Sequence, residues 1–367
     1  MRTFLMKNKV KLTDICKIEK GKQIDTTLLS DDKPFKYING GIKESGYYFE
    51  YNTEGNTVTV SEGGASCGYV GFVEDRFWCG CHCYRLLDCK INPKYLYYSL
   101  KFNQEIIMDL RTGAAMPNIR KESFKNLELL IDDDTNNEEK IVAELDSIQQ
   151  EIDFLETKME AYKSAIQSRF NELFEDITER VHLSEWCDKI TDGSHLPPKG
   201  VEKSDYLMLS SQNVFDVLTL DGARFLSKED FDKENKRTDI QIGDVLLTIV
   251  GTIGRTHIVQ EGEKFVFQRS VAVIKPKKNI LDSRFLVAYL KTQDALDQFE
   301  ISSHGTSQKG LYLSDLKQLE IPLADYETQK QFATFADLID KLSKTTKERL
   351  ELLLELLETK MNEHFGD

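Results

Sequence analysis

A chain of 367 residues is long enough for two or three domains, each able to bury a core. It carries 48 basic and 62 acidic side chains, a net charge of -14, which excludes a uniformly basic nucleic-acid binder and leaves room only for a local basic face. The sequence opens on no apolar leader and holds no apolar run of membrane length, and its seven cysteines are odd in number. The expectation is therefore a soluble, cytoplasmic protein with reduced thiols.

In chain order, residues 1–136 read as a first mixed α/β domain. Lys11-Leu12-Thr13-Asp14-Ile15-Cys16 leads to Gly21 and a polar loop. Strand-like runs follow at Phe35 to Asn39, Asn56 to Ser61 and Phe77 to Leu87, with a glycine turn at Gly63 to Gly68. An aromatic helical stretch, Pro93 to Leu110, leads to a polar loop at Arg111 to Asn118 and a last strand near Lys125 to Leu129.

Residues 137–175 predict one long helix without Pro or Gly. Its apolar seam reads Ile141, Leu145, Ile148, Ile152, Leu155, Met159, Tyr162 and Ile166, in alternating steps of four and three. That spacing predicts pairing with another helix, over roughly 55 Å at 1.5 Å per residue.

Residues 176–327 repeat the first domain. His182 to Cys187 answers Lys11 to Cys16, and Gly193 answers Gly21. Tyr206 to Ser210, Asp244 to Ile249 and Phe265 to Lys275 answer the strands, Gly251 to Gly254 the glycine turn, and Ser303 to Gly310 the closing loop. Residues 328–367 repeat the helix, with a seam at Phe332, Phe335, Ile339, Leu342, Thr346, Leu350, Leu353, Leu357 and Met361. The offset is 191 at both ends of the helices, from Ile141 to Phe332 and from Phe174 to Phe365. The fold class expected is thus two tandem mixed α+β domains, each followed by a long helix. The helices would pair as an antiparallel coiled coil about a pseudo-twofold axis suited to a bipartite ligand.

Charge follows the same frame. Residues 1–131 carry 19 basic and 16 acidic side chains, residues 137–175 carry 4 and 10, and residues 176–327 carry 19 and 25. The acidity therefore lies on the helix and the second domain, and the sequence does not by itself reveal a basic face.

This plan resembles the specificity subunit of a type I restriction-modification system. The local signal is Leu316-Lys317-Gln318-Leu319-Glu320-Ile321-Pro322-Leu323 followed by Glu327-Thr328-Gln329. It is similar to the family's L-x-x-L-x-I-P-L-P and E-Q signature, and departs from it at Ala324, where Pro is usual. The first copy departs further, with Asp132-Asp133-Asp134 in place of the Pro segment.

The resemblance implies two target recognition domains, each reading one half of an asymmetric, bipartite double-stranded DNA site. It implies a helix pair that sets the unread gap and docks two modification (methyltransferase) subunits, with restriction (translocase and nuclease) subunits joining the complex. It also implies no catalysis in this chain, with S-adenosylmethionine, ATP and Mg on partner subunits only.

Candidate DNA contacts lie in the glycine turns and closing loops, where backbone approaches phosphate and polar side chains are free. In the first domain they are Lys22, Ser66, Tyr69, Arg76, Arg85, Arg111, Asn118 and Arg120. In the second they are Ser194, His195, Lys199, Gln212, Thr252, Arg255, Gln268, Arg269, Gln308 and Lys309. A solvated loop residue is the alternative for each.

Cys79, Cys81 and Cys83 would share one face of a strand, but their spacing is wrong for a zinc knuckle, so buried thiols are expected. Asn92-Pro93-Lys94-Tyr95 is a poor copy of a methyltransferase motif and a good helix start. Gly251-Thr252-Ile253-Gly254 lacks the ending of a P-loop. The rival functions are a coiled-coil scaffold without a nucleic-acid role and a stand-alone DNA methyltransferase.

Overall fold

The computed structural model describes residues 7–113, 116–132, 135–215, 217–304 and 310–366. In the first half the elements are β1 (Lys7–Lys11), α1 (Leu12–Ile15), β2 (Lys17–Lys20), β3 (Phe35–Ile38), β4 (Tyr47–Tyr48), β5 (Thr57–Ser61), β6 (Val70–Val73), β7 (Phe77–Cys79) and β8 (Cys83–Leu87). Then come α2 (Pro93–Phe102), α3 (Gln104–Asp109), β9 (Arg111–Thr112), β10 (Asn118–Ile119), α4 (Lys121–Lys125), β11 (Glu128–Asp132) and the long α5 (Thr135–Phe174).

The second half runs β12 (Arg180–His182), β13 (Cys187–Asp192), β14 (Leu207–Leu209), β15 (Arg224–Phe225), α6 (Lys228–Thr238), β16 (Val245–Thr248), β17 (Thr256–Ile258), β18 (Phe265–Phe267) and β19 (Val271–Pro276). It continues with α7 (Ser283–Tyr289), α8 (Gln293–Ser302), β20 (Ser303–His304), β21 (Gly310–Leu311), α9 (Leu313–Lys317), β22 (Glu320–Pro322) and the long α10 (Tyr326–Phe365).

The chain divides into two compact units, and the division cuts both long helices. One unit holds residues 1–156 with 348–367, and the other holds 157–347.

In the first unit a four-stranded antiparallel sheet runs in the order β2-β8-β5-β6. A three-stranded sheet, β4-β3-β7, pairs β3 and β7 in parallel, and β1 pairs with β11. The second unit repeats this order, as β13-β19-β16-β17, β15-β14-β18 with β14 and β18 parallel, and β12 with β22. The duplication in the sequence is therefore a duplication of topology.

Two expected strands are each two strands. Gly80-Cys81-His82 turns the chain between β7 and β8, with the Cys83 amide donating to Gly80 O at 3.2 Å. The single-strand reading fails there because the turn ends one sheet and starts another. The three cysteines consequently do not share a face: Cys79 and Cys83 are buried, while Cys81 is half-exposed and donates its thiol to Gln23 at 2.7 Å. Among the described residues no cluster of His, Cys, Asp and Glu could hold a metal, and no helix is long and apolar enough to cross a membrane.

Each core is closed by helix residues from both halves of the chain. In the first unit Ile141 and Leu145 of α5 and Met361 and Phe365 of α10 join Leu12, Val58, Tyr95 and Leu129. In the second, Phe170 and Phe174 of α5 and Phe332 and Ala336 of α10 join Val245, Phe285 and Tyr289.

The pairing is antiparallel within each unit. Lys360 meets Glu144 at 2.9 Å while Arg349 meets Glu151, and in the other unit Ser343 meets Met159 at 3.6 Å while Phe332 meets Phe170 at 5.7 Å. Ile152 and Leu155 are buried; Ile148, Met159, Tyr162, Ile166, Phe335, Leu350, Leu353 and Leu357 are half-buried. The second seam departs from expectation at Leu342, which is 42% exposed. Ser343 takes the inward place there, and Thr346, one turn on, is buried and lies 3.5 Å from the Tyr162 hydroxyl.

One device ties each domain to the helix that follows it. The Asn92 amide donates to Glu138 Oε2 at 2.8 Å, and the Asp282 amide to Gln329 Oε1 at 3.0 Å. Asn92 and Asp282 are the N-caps of α2 and α7, so a helix start is the role of the Asn-Pro motif. Burial raises the Glu138 carboxyl above its ordinary value. A carboxyl raised on folding stabilises fully below its unfolded pKa and loses that contribution as pH rises through the folded value. Glu138→Gln keeps the acceptor, so it is expected to raise the unfolding midpoint at pH 7 and leave it unchanged at pH 4. Gln329→Leu strands a buried amide and is expected to cost about 1–3 kcal/mol in denaturant unfolding.

Candidate nucleic-acid interface

In each unit backbone hydrogen bonds gather four loops at one end of the larger sheet. In the first, Lys22 N donates to Cys79 O at 2.8 Å, Glu62 N to His82 O at 2.9 Å and Gly64 N to Pro117 O at 3.0 Å. These bonds join the loop after β2, the glycine turn after β5, the β7–β8 turn and the β9–β10 hairpin. In the second, Ser194 N donates to Phe267 O at 2.7 Å, Arg269 N to Ser194 O at 2.9 Å, Ile249 N to Ser270 O at 2.9 Å and Leu311 N to Ile249 O at 2.8 Å. The loop after β13, the turn after β16 and the β18–β19 turn meet there, with β21 from the closing hairpin.

The loop after β2 can approach the turn only because it begins on glycine. A Cβ on Gly21 would lie 2.2 Å from Gly80 O, and one on Gly193 would lie 2.0 Å from Phe267 O. Backbone polar groups used this way are satisfied inside the loops, which leaves side chains as the groups presented outward.

Of the first domain's candidates, Lys22, Arg111 and Arg120 are exposed on the gathered loops, and Ser66, Tyr69 and Asn118 are half-buried there. Tyr69 lies beneath Lys101, whose Nζ is 4.4 Å from its ring centre. Two candidates fall elsewhere. Arg85 is buried, donating to Glu19 Oε2 at 3.0 Å and Thr53 Oγ1 at 2.9 Å, so it braces the sheet instead of facing a ligand. Arg76 follows β6, whose Val73 end pairs with Thr57 at the far end of the sheet, and its guanidinium is held by Glu54 at 2.9 Å and Tyr51.

In the second domain His195, Lys199, Gln212, Thr252 and Arg269 are exposed, and Arg255 and Gln268 are half-buried. Arg255 sits 4.4 Å over the Phe215 ring. Gln212 is brought to the β18–β19 turn by the Ser211 amide, which donates to Ser270 Oγ at 3.1 Å. Ser194 is buried and contributes backbone only. Gln308 and Lys309 lie outside the described residues.

Two acids at this end are already matched. Glu62 is buried and paired with Lys20, and Asp192 is buried and paired with Arg237 and His195. Three residues escaped the sequence reading. Gln23 stands two places after Gly21, as His195 stands after Gly193, and that alignment could have found it. Asp192 and Arg237 are 45 residues apart and meet only through the packing of α6, which has no counterpart in the first copy.

The profile of the type I restriction modification DNA specificity domain matches residues 6–161 and 204–355. A putative type I specificity subunit of Mycoplasma genitalium is 31% identical over 172 residues, covering 46% of this chain and 44% of that protein. The specificity subunit of the Escherichia coli type I restriction enzyme EcoBI is 36% identical over 129 residues, covering 33% and 27%. The chain thus spans less than half the length of these curated relatives. The crystal structure of a type I system S subunit from M. genitalium superposes with a TM-score of 0.70 at 19% identity, covering 100% of this chain and 98% of that one.

The glycine contact is testable directly. Gly193→Ala and Gly21→Ala are each expected to lower stability by about 1–3 kcal/mol in denaturant unfolding, since backbone must give way.

Proposed function

The chain belongs to the family of type I restriction-modification DNA specificity domains, and from that premise we propose that it is the sequence-reading, non-catalytic subunit of such an enzyme. Each unit reads one half of a split, asymmetric double-stranded DNA site through its four gathered loops. The observation that carries this reading is a shared frame with unlike contents. The two units have the same strand order and the same loop clamps, yet present Lys22, Arg111 and Arg120 in one and His195, Lys199 and Arg269 in the other.

Phosphate contacts from these cations would fix register, and polar side chains would read base edges in the major groove. The long helices would set the unread gap. Their outward apolar residues support docking of modification subunits: Phe154, Leu338 and Leu352 are 64%, 55% and 66% exposed. Methyl transfer, DNA translocation and cleavage, with their S-adenosylmethionine, ATP and Mg, belong on this reading to modification and restriction subunits. The complex would work in the cytoplasm, where the host DNA lies.

The test is methylation mapping of host DNA by long-read sequencing. A split motif is expected, absent when the chain is deleted. Exchange of residues 1–131 for those of a relative is expected to change one half of the motif and leave the other half and the gap intact. An unchanged methylation map on deletion would refute the reading.

A further inference from the structure

Asp192 ends β13 with its side chain buried and serves two partners with its two oxygens. Oδ1 accepts from the Arg237 guanidinium, and Oδ2 lies 2.6 Å from His195 Nε2. Arg237 Nε also donates to Asp192 O at 2.9 Å, and Lys189 Nζ closes the arrangement on Arg237 O at 2.6 Å. The chain leading into His195 is fixed, because Ser194 is clamped to Phe267 and Arg269 and Gly193 lies against Phe267 O. The His195 side chain is 57% exposed, so the ring's other face is open.

This geometry dictates what the open face offers. A carboxylate only accepts, so when the ring is neutral its proton sits on Nε2 and is donated to Asp192. Nδ1 is then a bare acceptor aimed outward. Arg237 matches the carboxylate's charge from the other side, and a bare acceptor at Nδ1 has no proton to donate to a phosphate. In the major groove the complement of a lone acceptor is an exocyclic amine, on N6 of adenine or N4 of cytosine.

We propose that His195 is a specificity-determining residue of the second domain, that its Nδ1 accepts from the exocyclic amine of an adenine or cytosine, and that Asp192 is the positioning residue that sets its tautomer. This rests on the DNA-reading function proposed above and adds the atom and the base chemistry. The first domain holds Gln23 at the matching place, bonded to Cys81, so the two domains offer different groups from one position.

Asp192→Asn gives the diagnostic result. Arg237 has only donors, so it keeps the new amide oxygen on its side and turns the amide nitrogen toward His195. His195 Nε2 must then accept, its proton moves to Nδ1, and the open face becomes a donor. Guanine O6 occupies the place of adenine N6, and thymine O4 that of cytosine N4. The preferred base is therefore expected to change from A to G or from C to T at one position.

The experiment maps methylation in cells carrying the whole enzyme with the wild-type chain, His195→Ala or Asp192→Asn. His195→Ala is expected to make one position degenerate in the half-site read by the second domain, with about tenfold loss of discrimination and an intact first half. Asp192→Asn is expected to give the transition described. In parallel, binding of the wild-type complex is measured on a duplex whose base at that position lacks the exocyclic amine. About tenfold weakening is expected for wild type and none for His195→Ala, a comparison that stands even if Asp192→Asn does not fold.

A split wild-type motif that His195→Ala leaves unchanged overturns this proposal and spares the DNA-reading function, whereas no split motif at all overturns that function first. An Asp192→Asn map identical to that of His195→Ala overturns the tautomer assignment.

Discussion

Neither half of the chain contains a complete core. The first domain is closed by Phe365, the last residue of the last helix, whose ring lies 5.2 Å from Tyr95. The second is closed by Phe174, the last residue of the first long helix, at 5.5 Å from both Phe285 and Phe332. Each of these rings is almost fully buried, and full burial of a Phe side chain stabilises by about 1.5–3 kcal/mol. The helix end that supplies the ring comes in each case from the opposite copy. Lys7 adds a bond of the same kind, donating to Gly366 O at 2.6 Å across nearly the whole sequence. Contacts of such sequence separation carry a larger loop-closure entropy than local ones. The pairing of the two helices is therefore a condition for either domain to be finished, and not an ornament on finished domains.

That constraint separates what the two copies share from what they do not. The shared positions are those that hold a helix to a domain. Glu138 and Gln329 accept from the N-caps of α2 and α7, and Asp146 and Asp337 take Lys94 and Arg284 from those same helices. Glu and Gln differ in charge but not in shape or in the oxygen they offer, so the frame tolerates the exchange. At the gathered loops the backbone clamps are kept and the side chains are not. A frame fixed by backbone bonds leaves the outward side chains free to diverge without loss of fold.

The duplication was legible in the sequence because a long helix advertises itself: the apolar steps from Ile141 to Ile166 leave no other regular structure open, and the offset of 191 repeats at both ends. Short strands were legible where β-branched and aromatic residues stand between turn formers, as at Asn56 to Ser61. They were misjudged at Phe77 to Leu87, where Gly80 was the only turn signal inside an apolar run. Leu342 was misplaced for a different reason. A seam of alternating fours and threes can slip by one residue, and Leu342 and Ser343 differ in hydropathy but not in helical propensity enough to reveal which faces inward. Arg85 could not be told from a loop arginine, because its partners Glu19 and Thr53 lie far from it in the sequence. The same blindness hid Arg237, whose helix is present in one copy only.

The net charge of -14 is reconciled by placement. Two acids at the gathered loops are withdrawn: Glu62 and Asp192 are buried and each is matched by a cation. The cations left outward are few, so an electrostatic grip on phosphates would release few counterions and remain weak on any sequence. A reader built this way gains its discrimination from base contacts, and base contacts need side chains held in one orientation. The clamped loop at Gly193 and Ser194, and the buried carboxylate behind His195, supply that orientation without adding charge. On the proposed function, an acidic chain is a consistent design: it would give up non-specific affinity and keep the rigid polar groups on which a distinction between bases would depend.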